Sequence, residues 1–333
     1  MDISTGENTS VKNRREKVHE AFKRLKINTE GDVPVVAVLG SGGGLRAMIG
    51  FLGVLSELAN DDILDTVTYI CGTSGSTWCM SSLYDNDNWS NCIGEMEGKI
   101  CKTFEKEYDL QKSWEKLKQT KENDTASLTS FWAHVIIQMM TKDVNEKKLS
   151  DYCGACEIGS NPYPVYAAVE KTNVNNGIKH EPETWFEFTP HTSGFPAYKE
   201  YVDTKLLGSK FEQGKVSKSQ PEREVCFLQG IWGSALGSEK VIFDFIKEQI
   251  REIWSKLWSI LAQSNKVTSH GEYCKCALLK ELLAEDLESL DYKQSEEFLQ
   301  KLKHLLEDVE KREKQLETKS LLGMYSVKLF DAP

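Results

Sequence analysis

The chain has 333 residues, of which 40% are hydrophobic and 28% are charged. These proportions are ordinary for a globular protein with a sizeable core, and they exclude a largely disordered chain. The formal net charge of −10 repels a phosphate backbone, so we expect no nucleic-acid partner. No apolar run approaches the ~20 residues that span a bilayer, and the polar N-terminus lacks the layout of a secretory signal. We therefore expect a cytoplasmic protein with reduced cysteines.

The first predicted element is a helix over residues 10–27, in which Val11, Val18 and Phe22 recur at roughly helical spacing. Seven lysines and arginines accompany only two glutamates in this stretch. Because the apolar face is thin, we interpret residues 1–30 as a solvated helical lead-in. A basic helix that touches a membrane is the alternative interpretation.

Two strand–turn–helix units follow. The fully apolar run 33–39 enters the glycine-rich turn 40–44, and a helical pattern begins directly after it. A second apolar strand, 67–71, enters the sharp turn 72–75 and another helix. Apolar strands of this kind are typical of the centre of a parallel sheet. The pattern predicts an α/β fold with a central, mostly parallel sheet and right-handed crossovers.

The remaining elements are less regular. Residues 100–150 are charged and helix-forming, and two short strand-like runs lie between residues 163 and 188. Strong amphipathic patterns over 239–262 and 275–316 predict helices, which we interpret as a helical cap spanning about 240–320. A coiled coil is the alternative, but the apolar spacing does not persist through three clean heptads.

The turn after the second strand carries the first chemical motif, Gly72-Thr-Ser-Gly-Ser76. A Gly-x-Ser-x-Gly turn between a strand and a helix is a nucleophile elbow, in which a strained backbone exposes the serine hydroxyl. Ser76 stands where this general pattern has its last glycine. Taken alone, the motif therefore leaves a plain tight turn open as an interpretation.

The turn after the first strand carries the second motif, Ser41-Gly-Gly-Gly-Leu-Arg46. Successive glycines at a strand–helix junction leave backbone N–H groups uncovered. A phosphate-binding loop would need a following Lys-Ser/Thr or a third, correctly spaced glycine, and both are absent. An oxyanion hole needs only aligned N–H donors near a nucleophile, and adjacent parallel strands would bring both turns to one edge of the sheet. This chemistry requires no cofactor and no metal.

Four of the nine cysteines form two close pairs, Cys153 with Cys156 and Cys274 with Cys276. They could be drawn as a four-thiolate zinc site. The long separation between the pairs and the one-residue spacer in the second pair favour packing thiols instead.

Four segments together resemble the catalytic domain of the group IV cytosolic phospholipase A2 family: LGSGGGLRAMIGFLGVL, GTSGSTWCMSSLY, WFEFTPHTSGF and LQGIWGSAL. That family's own elbow reads Gly-x-Ser-Gly-Ser, so Ser76 fits it. The resemblance runs from about residue 33 to about residue 236 and is nearest to gamma-type members, because little chain precedes the first strand. It implies a three-layer α/β/α, patatin-like core, with residues 31–333 forming a partial phospholipase A2 catalytic domain.

The resemblance also implies roles for individual residues. Ser74 matches the nucleophile, Gly43 and Gly44 match the oxyanion hole, and Arg46 matches the residue that holds the substrate phosphate. The implied activity is hydrolysis of the sn-2 ester of glycerophospholipids, with lysophospholipids as related substrates. With no room for a calcium-dependent docking domain, we expect calcium-independent contact with a phospholipid membrane surface as the partner. The sequence does not indicate an oligomeric state.

One part of the family pattern has no counterpart. The family pairs its serine with an aspartate in an Asp-Ser-Gly or Asp-Gly turn, but no aspartate here precedes Gly or Ser-Gly. A catalytic aspartate is therefore not found, and we expect the chain to stop before the family's last third and to lose sheet strands. His191, beside WFEFTP, is an alternative base, which would suit a general esterase. The other alternative is a catalytically dead lipid- or protein-binding relative.

Overall fold

The computed structural model describes residues 3–29, 31–106, 132–169 and 185–233. The chain divides into two compact units, one built from Met1–Lys106 and Ile137–Leu236 and the other from Glu107–Ile136 and Gly237–Pro333. Nearly all described residues belong to the first unit. The predicted helices over 239–262 and 275–316, and with them the predicted cap, lie outside the described residues.

The helices and strands of the described residues follow in chain order. The α-helices are α1 Thr5–Arg24, α2 Gly44–Asn60, α3 Gly75–Leu83, α4 Ile93–Phe104, α5 Gln138–Thr141, α6 Cys153–Ile158 and α7 Val225–Gly233. The strands are β1 Val36–Gly40, β2 Val67–Thr73, β3 Tyr163–Val169, β4 Trp185–Phe188, β5 Thr192–Phe195, β6 Glu200–Asp203, β7 Lys210–Glu212 and β8 Lys215–Lys218. Short 3-10 helices are Leu64–Thr66, Trp89–Asn91, Leu149–Tyr152 and Thr204–Leu206, and a π-helical turn spans Trp132–Ile137.

A six-stranded mixed sheet forms the core of the first unit, in the order β1-β2-β3-β4-β5-β6. The β1–β2 and β2–β3 pairs are parallel, and the next three pairs are antiparallel. Gly40 at the end of β1 pairs with Gly72 in β2, so both strands finish at the same edge of the sheet. The α/β fold that the two strand–turn–helix units predict is confirmed, and β7–β8 form a separate hairpin.

The first strand differs from the prediction of a fully buried central strand. β1 is an outermost strand of the described sheet, where β2 is its one neighbour, and Leu39 in β1 is 76% exposed. β2, by contrast, lies between two strands, and its Val67 and Ile70 are buried. The prediction was wrong because an apolar run reports hydrophobicity and does not reveal how many neighbours the strand has.

The N-terminal helix forms, although it spans Thr5–Arg24 and not residues 10–27, and it is not a solvated lead-in. One face of α1 packs into the first unit and buries Val18, Ala21 and Phe22. Arg14 is buried as well, and its guanidinium donates to the carbonyl oxygens of four residues: Leu64, Val67, Gly159 and Ser160. The solvated interpretation was wrong because the apolar face, although thin, is buried, and Arg14 is buried with it. Among the described helices, none has the length and apolar character needed to cross a bilayer.

Two of the segments that carry the family resemblance, WFEFTPHTSGF and LQGIWGSAL, pack against each other near α3. Trp232 of α7 stacks on Tyr166 of β3 with ring centroids 4.3 Å apart, and it meets the edge of Phe188 in β4. The indole N–H of Trp78 in α3 donates to the carbonyl of Gln229 in α7 at 3.0 Å. These contacts fix α3, and with it the turn that precedes α3, against the sheet.

Candidate active site

Ser74 occupies the sharp turn between β2 and α3. Its backbone angles, φ 50° and ψ −126°, are unfavourable for a residue with a side chain, and Ser74 is also the N-cap of α3. Thr77 stabilises this turn, since both its backbone N–H and its hydroxyl donate to the Ser74 carbonyl. A strained serine between a parallel strand and a helix has the geometry of a nucleophile elbow.

The glycine loop lies between β1 and α2. Gly43 is the N-cap of α2 with φ 146° and ψ 24°, and Gly44 has φ 61°. A φ of 146° is a conformation that L side chains rarely adopt, so the loop depends on glycine at position 43. Ser41 at its start is exposed, whereas residues 42–45 are half-buried.

The two turns are in direct contact, as the sequence predicts. A Cβ built on Gly75 would overlap the carbonyl oxygen of Gly44, so only glycine allows this approach. The Ser76 hydroxyl donates to the Ser41 carbonyl at 2.6 Å. The structure therefore brings Ser74, Gly43 and Gly44 to one edge of the sheet.

Two further side chains lie close to the glycine loop. Arg46, in the first turn of α2, is exposed, and within the described ranges it forms no ion pair. The methyl group of Met140, in α5, is 4.0 Å from where a Cβ on Gly44 would lie. Sequence reasoning missed Met140, because nothing in the local pattern of α5 connects it to a loop almost 100 residues earlier.

His191 does not lie with Ser74. Its Nδ1 is 2.8 Å from the hydroxyl of Tyr163, the first residue of β3, and its Nε2 is 3.1 Å from a Glu157 carboxylate oxygen. Ser74 follows Thr73, which pairs with Ala167 toward the other end of β3. The alternative that His191 serves as the base for Ser74 is therefore wrong.

Two of the described aspartates are engaged in ion pairs. Asp65 pairs with Lys17 and Arg24, and Asp85 pairs with Lys99 and Lys147. No side chain from the described part of the chain is hydrogen-bonded to the Ser74 hydroxyl. Five aspartates of the C-terminal part lie outside the described residues: Asp244, Asp286, Asp291, Asp308 and Asp331.

Cys153 and Cys156, the pair within the described residues, behave as packing thiols. Cys156 is buried, and Cys153 donates to the carbonyl of Pro190. Burial raises the pKa of Cys153 to about 11 and raises the pKa of Cys156 further, which opposes thiolate ligation. Cys274 and Cys276 lie outside the described residues, and the described part contains no group of three potential metal ligands.

A serine elbow that contacts a glycine loop from the neighbouring parallel strand places this protein among α/β proteins with a patatin-like core. The comparisons with known proteins agree. The family model for the lysophospholipase catalytic domain matches residues 36–264. A solved structure of human GIVD cytosolic phospholipase A2 in complex with methyl gamma-linolenyl fluorophosphonate is 30% identical. Its TM-score is 0.60, and the match covers 70% of this chain and 34% of that one.

Curated relatives define the family more closely. The chain is 44% identical over 249 residues to human cytosolic phospholipase A2 gamma, which covers 74% of this chain and 45% of that protein. It is 42% identical over 260 residues to the mouse protein of the same name, covering 77% and 42%. The chain thus spans about half the length of the curated relatives it matches. It belongs to the group IV cytosolic phospholipase A2 family.

Proposed function

We propose that the chain is a phospholipase A2-like serine acyl hydrolase that cleaves the sn-2 fatty acyl ester of glycerophospholipids, with lysophospholipids as related substrates. The observation that carries the proposal is the contact between the Ser74 elbow and the glycine loop. Relatives whose names describe phospholipases A2, and a family named for lysophospholipases, support this substrate class.

Each part of the site has a role in this reaction. The Ser74 oxygen attacks the ester carbonyl carbon, and the bond from that carbon to the glycerol oxygen breaks. The acyl group stays on Ser74, and the lysophospholipid leaves with the serine proton on its new hydroxyl. The N–H groups of Gly43 and Gly44 stabilise the negative oxygen of the tetrahedral intermediate, because donors held in place beforehand need no reorganisation during the reaction. Water then releases the fatty acid from Ser74.

Arg46 is the proposed ligand of the substrate phosphate. It lies in the helical turn that directly follows the oxyanion glycines, and it is exposed. A guanidinium presents a fork of donors that matches phosphate oxygens. We propose that the partner is a phospholipid membrane surface, contacted peripherally from the cytosol and without calcium. The names of the relatives, cytosolic phospholipases A2, support the cytosolic location.

A second candidate is a catalytically dead protein that binds lipid or protein. One observation favours it: none of the described side chains is hydrogen-bonded to the Ser74 hydroxyl. Loss of a general base lowers a rate by about 10²- to 10⁴-fold. The intact elbow and glycine loop would then hold a lipid without cleaving it.

Fatty-acid release from phosphatidylcholine vesicles by the purified 333-residue chain separates the two candidates. The wild type, Ser74→Ala and His191→Ala are compared with calcium chelated and with calcium added. We expect release by the wild type and by His191→Ala in both conditions, and none by Ser74→Ala. No release by a folded wild type that still binds the vesicles would support the dead-protein candidate. Release from small soluble esters alone would indicate a general esterase.

A further inference from the structure

Ser76 lies two residues after Ser74, in the first turn of α3, and is only 1% exposed. Its hydroxyl donates a hydrogen bond of 2.6 Å to the carbonyl oxygen of Ser41, the first residue of the glycine loop. We propose that Ser76 is a positioning residue: it fixes the glycine loop so that the N–H groups of Gly43 and Gly44 point at the oxyanion. This inference rests on the proposed function.

The surroundings of Ser76 are shaped to hold it in this place. Gly40 and Gly72 are paired residues of β1 and β2, and Ser76 packs over both. A Cβ on Gly40 would come within 2.6 Å of both the Cβ and the Oγ of Ser76, and a Cβ on Gly72 would come within 3.2 Å of its Cβ. Glycine at both positions therefore leaves room for Ser76, and the Ser76 hydroxyl has a defined position relative to both strands.

The glycine loop needs such a fixed point. Three successive glycines have more backbone freedom than any other residues, and Ser41 is exposed at the start of the loop. Among the described residues, the Ser76–Ser41 bond is the only side-chain hydrogen bond between the elbow, residues 74–77, and the loop, residues 41–44. By holding the Ser41 carbonyl, this bond orients the Ser41–Gly42 peptide, which directly precedes the proposed oxyanion donors of Gly43 and Gly44.

The consequence concerns the chemical step. Donors that are already aimed stabilise the transition state, whereas a loop that samples several conformations aims them only part of the time. Loss of the Ser76 hydroxyl should therefore slow reaction at Ser74 while substrate binding, which uses the acyl chain and head group, is unchanged. A hydroxyl with a purely structural role would change stability and leave that rate alone.

The reagent for the test is a long-chain alkyl fluorophosphonate. Ser74 Oγ forms a bond to phosphorus, the P–F bond breaks, and fluoride leaves while the serine proton passes to solvent. The maximal labelling rate and the reagent concentration at half-maximal rate are measured for wild type, Ser76→Ala and Ser82→Ala. Ser82 is the matched control: it lies in the same helix, it is 7% exposed, and its hydroxyl donates to the Trp78 carbonyl of its own helix. Hydrogen exchange of the 42–45 amides provides a readout that needs no reaction.

We expect Ser76→Ala to lower the maximal rate by about 10- to 100-fold with an unchanged half-maximal concentration, and Ser82→Ala to match the wild type. Exchange at residues 42–45 should be faster in Ser76→Ala alone. Equal rates in Ser76→Ala and Ser82→Ala, or unchanged loop exchange, would overturn the inference. A wild type that is not labelled at Ser74 contradicts the proposed function, and loop exchange then decides the role of Ser76 by itself.

Discussion

The two ends of strand β2 are surrounded by different kinds of residue. At its N-terminal end, Arg14 of α1 donates to the Val67 and Leu64 carbonyls, and the Tyr69 hydroxyl donates to Glu7 at 3.0 Å. At its C-terminal end, Ser74 is surrounded by glycines and hydroxyl groups. Hydrogen bonds from charged and titratable side chains therefore anchor α1 at one end, while the candidate chemistry is at the other end.

This contrast teaches that a dense network of titratable groups is not by itself a sign of an active site. Tyr163, His191 and Glu157 lie near the start of β3, which is at the same end as α1. Both ring nitrogens of His191 have hydrogen-bond partners within this cluster. At the Ser74 end the distinguishing features are backbone angles and the absence of Cβ atoms. Changes at the Ser74 end should therefore alter reactivity, and changes at the other end should alter stability.

The largest expected effect is that of Gly75→Ala. The new Cβ would overlap the Gly44 carbonyl, so the elbow and the glycine loop cannot keep their contact. We expect a loss of about 3 kcal/mol or more in the free energy of unfolding, measured with urea, together with loss of labelling at Ser74. The matched control is Gly53→Ala in α2, where no atom lies within 4 Å of the new Cβ and a stability gain of about 0.5–1 kcal/mol is expected. Equal stabilities of the two variants would contradict the close approach.

Arg14→Met tests the α1 end of strand β2. Removing the guanidinium takes one hydrogen bond from each of four carbonyl groups, although the Ser160 carbonyl keeps its bonds from Lys17 and Ser90. We expect a loss of about 3 kcal/mol in urea unfolding. Burial lowers the pKa of Arg14 to about 10, so it is charged at neutral pH. Arg15→Met is the control, because Arg15 makes only an exposed ion pair with Asp32, worth about 0–1 kcal/mol. A folded Arg14→Met that reacts normally at Ser74 would show that the α1 end contributes to stability and not to reactivity.

Gly43→Ala tests the glycine loop without overfilling it. The nearest atom to the new Cβ is the Ala47 Cβ at 3.4 Å, so the cost comes from the backbone at φ 146°. Alanine should pull residue 43 toward an allowed φ at a cost of about 1–3 kcal/mol and turn its N–H away. We expect fluorophosphonate labelling of Ser74 to slow by about 10²- to 10³-fold. Labelling at the wild-type rate would remove Gly43 from the oxyanion hole.

Arg46→Met should have a smaller and more selective effect. Arg46 is exposed, so its loss should leave stability unchanged. We expect kcat/KM on phospholipid vesicles to fall by about 10- to 100-fold, which corresponds to one charged hydrogen bond of about 1.5–3 kcal/mol. A neutral ester without a phosphate is the control substrate, and its hydrolysis should not change. An equal loss on both substrates would point to a disturbed loop instead of a phosphate contact.

The sequence predicts the parts of this fold that depend on local pattern. The strand–turn–helix units and the meeting of the two turns follow from apolar runs and glycines, and the structure contains both. The edge position of β1 in the described sheet, with exposed Leu39, depends on neighbours that the run itself does not specify. Burial of Arg14 and the bond from Ser76 to Ser41 depend on carbonyl groups 35 residues or more away, which no local pattern contains.

The smallest expected effect concerns the pH dependence of stability at the α1 end. Burial raises the pKa of Glu7, while the Tyr69 hydrogen bond and the nearby His191 oppose the rise. An acid with a raised pKa holds more protons in the folded than in the unfolded state, so stability falls as pH increases above about 4.5. Glu7→Gln should reduce this slope in urea unfolding between pH 4.5 and 7, without changing the labelling of Ser74. A steeper slope in the variant would show that Glu7 is stabilised as the carboxylate, and a change in labelling would show that the two ends of β2 are coupled.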